Sequence, residues 1–90
     1  MSPIYRRARD LMEADIGNEL VALDPNGGNC FGFNEVATSV WRSLQQPKSF
    51  DQLRQELLEE YEVGEDQCES ELRLLLEDLT AKDLIETTEA

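Results

Sequence analysis

Apolar and polar residues alternate with a period of two in the first third of this chain and take up a helical period after it. Across 11–16, Met12, Ala14 and Ile16 alternate with Glu13 and Asp15, the pattern of a half-buried strand. Gly17-Asn18 fits a two-residue hairpin turn with glycine first, and 19–23 gives a second short apolar strand. Asp24-Pro25-Asn26-Gly27-Gly28 has proline where a turn fixes φ and glycines where it needs positive φ. The third strand, 29–33, sets Phe31 and Phe33 on one face and Cys30 and Gly32 on the other. Connections this short predict an antiparallel meander with the first and third strands at its edges.

From Asn34 the period is helical. Asn34 caps the first helix, Glu35 sits in its favoured first turn, and Val36, Ala37, Val40, Trp41 and Leu44 form one apolar stripe. Pro47 forbids continuation. Ser49 with Gln52 reads as a capping box opening a second helix, whose inner face is Phe50, Leu53, Leu57 and Tyr61. Gly64 breaks that helix. A third runs over about 66–81 and directs Cys68, Leu72, Leu75 and Leu79 to the core, after which Leu84-Ile85 folds back as a short tail. The expected class is α+β, a three-stranded antiparallel sheet followed by three helices.

Ninety residues, 40% of them hydrophobic, suffice for one modest core, so 1–90 is read as a single domain with 1–10 flexible. No apolar run approaches the ~18 residues of a membrane span, and the first residues lack a secretory signal's apolar stretch. The expected location is the cytoplasm, with Cys30 and Cys68 as reduced thiols. Charge is unevenly spread: residues 1–48 hold five Lys/Arg against six Asp/Glu, and residues 49–90 hold three against fourteen. An acidic surface of this kind repels nucleic acid and anionic membrane.

Most chemistry is excluded by what the chain lacks. Without histidine, no serine or cysteine has its usual activating base, and two separated cysteines are half a structural zinc site. No catalytic residue, metal or cofactor is expected. Asp24, Asn26 and Glu35 fall at positions one, three and twelve of a calcium loop, but Asn29 stands where that loop needs glycine. An acyl carrier would present a serine in Asp-Ser-Leu context; Ser39 and Ser70 do not.

Gly32 is the informative residue. Glycine within a strand marks either a bulge or close approach by another backbone. Its place on an edge strand, followed by a helix able to wall a groove, points to close approach by an extended peptide.

These segments resemble the PqqD-like proteins: Glu19-Leu20-Val21-Ala22-Leu23-Asp24, Phe31-Gly32-Phe33-Asn34-Glu35, Val40-Trp41-Arg42-Ser43-Leu44, Pro47-Lys48-Ser49-Phe50-Asp51-Gln52-Leu53, Tyr61-Glu62-Val63 and Leu79-Thr80-Ala81-Lys82-Asp83-Leu84-Ile85. The resemblance covers about 11–86. It implies a winged helix-turn-helix-like fold without catalytic residues, one that binds the leader of a ribosomally made precursor peptide as an added strand. Tryptophan in the first helix, Pro-x-Ser before the second and cysteine early in the third are similar to the stand-alone lasso-peptide recognition proteins. These act beside a cysteine-protease leader peptidase and a cyclase. Two departures are Phe33, where the family has leucine, and Asp83, where it has glycine; aspartate tolerates the left-handed conformation this turn needs.

The resulting expectation is a leader-peptide recognition element in lasso-peptide biosynthesis. Asn29, Cys30, Phe31, Gly32 and Phe33 would supply the receiving strand, and Glu69, Leu72, Arg73 and Leu76 of the third helix the opposite wall. Arg73 is equally well read as an intrahelical partner of Glu69 or Glu77. The alternatives are a chaperone for the pyrroloquinoline-quinone precursor and a winged-helix transcription factor. The second is opposed by Glu69, Glu71, Glu77 and Asp78 on the would-be recognition helix.

Overall fold

The computed structural model describes residues 3–89. In chain order, four strands come first: β1 (Pro3–Arg7), β2 (Met12–Ile16), β3 (Glu19–Leu23) and β4 (Cys30–Phe33). Helix α1 (Glu35–Ser43), the short β5 (Lys48–Ser49), α2 (Phe50–Glu60), α3 (Glu65–Ala81) and β6 (Ile85–Glu89) follow.

Strands β2, β3 and β4 form the expected antiparallel meander with β2 and β4 at its edges. Its turns follow from their residues. Gly17 takes φ +65° and Gly28 φ +73°, values that a side chain would strain. Between β3 and β4 the Asp24 carboxylate accepts the Asn26 N–H at 2.9 Å, a local aspartate turn.

The first two helices start where their side-chain caps lie. The Asn34 side chain accepts the Ala37 N–H, and Ser49 and Gln52 make both bonds of a capping box. At the end of α3, Asp83 takes φ +58°, the left-handed turn the chain makes without glycine.

Trp41, Leu20, Leu44, Leu53, Leu72, Leu79 and Leu84 are the largest fully buried apolar side chains, so one core joins β3, the three helices and the final strand. Phe33 meets Trp41 edge to face at 5.5 Å, and Cys68 is buried.

Four expectations need correction. The flexible segment expected over 1–10 includes 1–2, which lie outside the described residues; from Pro3 the chain is a strand. Strand β1 sits between β5 and β6 in a second antiparallel sheet, so Leu84-Ile85 leads into a paired strand, not a loose tail. On α3, Leu76 is a core residue and Leu75 is only half-buried, the reverse of the expected phase. Cys68, Leu72 and Leu79 admit either leucine at helical spacing, and packing selects Leu76.

The fourth correction concerns β2. Register aligns Glu13 with Ala22 and Phe31, and Asp15 with Leu20 and Phe33, on the face toward the core. Met12, Ala14 and Ile16 therefore face outward, and all three are exposed. Glu13 and Asp15 are exposed as well, but on their side of the strand they find partners that explain the inversion. Trp41 is buried yet keeps an indole N–H, which Glu13 accepts at 3.0 Å, and Asp15 pairs with Arg42.

Among the described residues, no helix is long and apolar enough to cross a membrane, and no group of three or more side chains could hold a metal ion.

Candidate functional site

The free edge of β4 offers backbone groups in a fixed pattern. The Asp24 N–H donates to the Asn29 carbonyl at 2.8 Å, and β4 then pairs Cys30 with Leu23, Phe31 with Ala22, Gly32 with Val21 and Phe33 with Leu20. Antiparallel ladders alternate between residues that bond inward and residues that bond outward. Asn29, Phe31 and Phe33 thus turn their backbone groups to β3, while Cys30 and Gly32 turn theirs to the open edge. A Cβ placed on Gly32 would meet nothing within 4 Å, and its φ is not positive, so no internal strain demands glycine here. The open space above Gly32 accords with approach from outside.

Hydrogen bonds near each end of helix α3 tie it to the segments that flank β4. At the start of β4, Arg9 bridges the two turns: its Nη1 donates to Asp24 Oδ2 at 2.6 Å and its Nε to the Asp83 carbonyl at 3.1 Å. Beyond the far end of β4, the Tyr61 hydroxyl donates to the Glu35 carbonyl at 3.3 Å and shares a 3.0 Å hydrogen bond with Ser39. Gly64, the N-cap of α3, lies three residues on.

The flanks of α3 then sort themselves. Glu69, Arg73, Leu76 and Thr80 share one side at ~100° per residue. Arg73 pairs with Glu69 at 3.0 Å and lies over the Phe50 ring at 5.0 Å. A depression lined by Tyr5, Arg73, Leu76, Thr80 and Thr87 continues that side, so it looks toward β1 and β6. The opposite side carries Leu75 with Glu71 and Asp78. Leu75 and Phe31 are both half-buried against the same core.

The expected residues therefore separate. Asn29, Cys30, Phe31 and Gly32 stand at the β4 edge, whereas Phe33 is buried against Trp41. Leu72 and Leu76 are core, and Glu69 and Arg73 lie on the side of the other sheet. Sequence reasoning placed Leu75 in the core and did not foresee the ties made by Arg9 and Tyr61. The run Leu74-Leu75-Leu76 leaves helix phase open, and the ties through Arg9 and Tyr61 join residues far apart in the chain.

The Asp24 carboxyl is held below its ordinary value, first by the Asn26 N–H, then by the Gly27 N–H and Arg9, against the opposing effect of desolvation. Burial pushes the Cys68 thiol up, which makes it a poor nucleophile.

Comparison with known proteins gives consistent results. The family model described as coenzyme PQQ synthesis protein D (PqqD) matches residues 19–85. No curated protein sequence matches the chain. Two solved structures share the fold. TbiB1 in complex with the TbiA(beta) leader peptide is 27% identical, with a TM-score of 0.80 over 94% of this chain and 99% of that one. A lasso peptide synthetase B1 complexed with the leader peptide is 23% identical, with a TM-score of 0.75 over 91% of this chain and 96% of that one.

Proposed function

The chain belongs to the PqqD family, and from that premise we propose that it is a non-catalytic recognition element for the leader of a ribosomal precursor peptide. It acts as a single domain in the cytoplasm, where such a precursor is made, and holds the leader for a cysteine-protease leader peptidase and a cyclase. The observation that carries this reading is the open β4 edge, with α3 tied to the segments that flank it, in a fold shared with two structures of leader-peptide complexes.

In this reading the leader adds as a strand. Cys30 and Gly32 supply the outward N–H and C=O groups, which fix direction and register. Phe31 and Leu75 receive an apolar or aromatic anchor, and Glu71 and Asp78 favour a leader with basic residues around it. The acidic α3 opposes the DNA-binding alternative.

Calorimetry with isolated leader and core peptides tests the proposal. The leader is expected to bind and the core segment to be ignored, and alanine at the anchor should cost about 1–3 kcal/mol. Gly32→Pro removes an outward donor without touching the ladder to β3, so the variant should stay folded by circular dichroism and lose the leader. The protein should also accelerate leader removal by the separate protease, through raised effective concentration. Equal affinity for core and leader, or undiminished affinity in a folded Gly32→Pro variant, would falsify this reading.

A further inference from the structure

The outer face of the β2–β3–β4 sheet is apolar and, among the described residues, uncovered. Cross-strand register gathers Met12, Leu23 and Cys30 in one row, Ala14, Val21 and Gly32 in the next, and Ile16 with Glu19 in the last. Met12 is 62% exposed and Ile16 66%, and Glu19 is the one charged side chain in the three rows. Burial alone would favour the opposite facing, with these residues turned to the side of the core. The chain instead turns Glu13 and Asp15 to the side of the core, where Glu13 meets Trp41 and Arg7 and the still exposed Asp15 pairs with Arg42, and leaves the apolar face of an edge strand in solvent. Exposed apolar edge strands invite aggregation, and contiguous apolar patches mark interaction surfaces.

Two observations select the occupant. A second copy of this chain would bring net charge −12 against −12, which opposes self-association. The face is also continuous with the β4 edge. A peptide strand added there extends the same sheet, and its alternate side chains stand beside Cys30 and Gly32 on the outer face, while the others enter the groove against α3. An enzyme acting on the held peptide must come from the side that α3 does not close.

We propose that this outer face, centred on Met12, Ile16, Leu23 and Cys30, is the docking surface for the enzyme that processes the bound leader. The enzyme would present a matching apolar face and meet protein and peptide as one continuous sheet. The inference rests on the peptide-recognition reading above and names the surface by which that module engages its partner.

The test uses the full chain carrying Met12→Thr and Ile16→Thr, changes that keep β propensity and remove the apolar surface. Calorimetry with the leader peptide and a cleavage assay with the purified leader protease and precursor are run side by side. The expected result is leader affinity within about twofold of wild type and a loss of about tenfold or more in the protein-dependent acceleration of cleavage. Leu74→Thr, which removes an equally exposed leucine (65%) from α3, is expected to change neither. Full acceleration by the double variant, or equal loss in Leu74→Thr, would place docking elsewhere and overturn the proposal. So would a wild-type dimer in sedimentation that the double variant dissociates, because the second copy would then be the occupant. Failure of wild-type protein to bind the leader would instead count against the recognition reading itself.

Discussion

Asp24 sits in an environment that its neighbours in sequence do not suggest. Proline and glycines around it mark a turn, yet its side chain is buried and accepts from the Asn26 N–H and from Arg9. Its carboxyl titrates below the ordinary 3.8, so the unfolded chain takes up a proton at a higher pH than the folded one. The contribution to stability is complete above that ordinary value and is lost as pH falls through the lower folded value. Asp24→Asn should therefore be less stable than wild type near neutral pH, and the gap should narrow on acidification. Urea melts of both proteins at about pH 6 and at about pH 3 measure it. A gap that stays constant across that range would remove the carboxylate from the account of this turn.

At the level of elements, α3 tests which leucine does what. Leu76 is buried in the core and Leu75 is half-buried on the flank assigned to the peptide groove. Leu76→Ala should cost about 2–5 kcal/mol of stability, as deletion of core leucines does. Leu75→Ala should cost less stability and weaken leader binding about tenfold or more, as loss of an anchor contact does. Denaturant unfolding and calorimetry on the two variants separate the roles, and a Leu75→Ala protein with wild-type affinity would move the groove off this flank. The sequence anticipates the three helices and the meander because their signals are local. Asn34 and the Ser49–Gln52 box cap helices, and Gly17 and the 24–28 turn close hairpins. The face of β2 was not legible in the same way. Alternation gives the period but not which side is inside, and here the buried indole of Trp41, twenty-eight residues from Glu13, decides it.

The whole molecule is two sheets sharing one set of helices, and the second sheet was the least legible part. Strands β1 and β6 come from opposite ends of the chain: Ile4 pairs with Thr88 and Arg7 with Ile85. No turn announces a pairing of that separation, and Arg6-Arg7 reads as a polar tail until Glu86 and Trp41 are seen beside it. Arg7 is the link between the sheets. From β1 its guanidinium lies 4.2 Å from the Trp41 ring centroid, donates to the Trp41 carbonyl at 2.6 and 3.2 Å, and reaches Glu13 of β2 at 3.3 Å. Removing it leaves the last-turn carbonyl of α1 and the inward Glu13 short of a charged donor, so Arg7→Ala should lower stability by about 1–3 kcal/mol. Arg7→Lys should recover only part of this, because a single ammonium cannot stack on the indole and fork to two acceptors at once. The same link holds β2 in the register that turns Met12 and Ile16 outward. In Arg7→Ala, hydrogen exchange should therefore quicken in both β1 and β2 while α3 stays protected. Loosening confined to β1 would mean that Trp41 alone fixes Glu13 inward, and that the two sheets are joined only through the core.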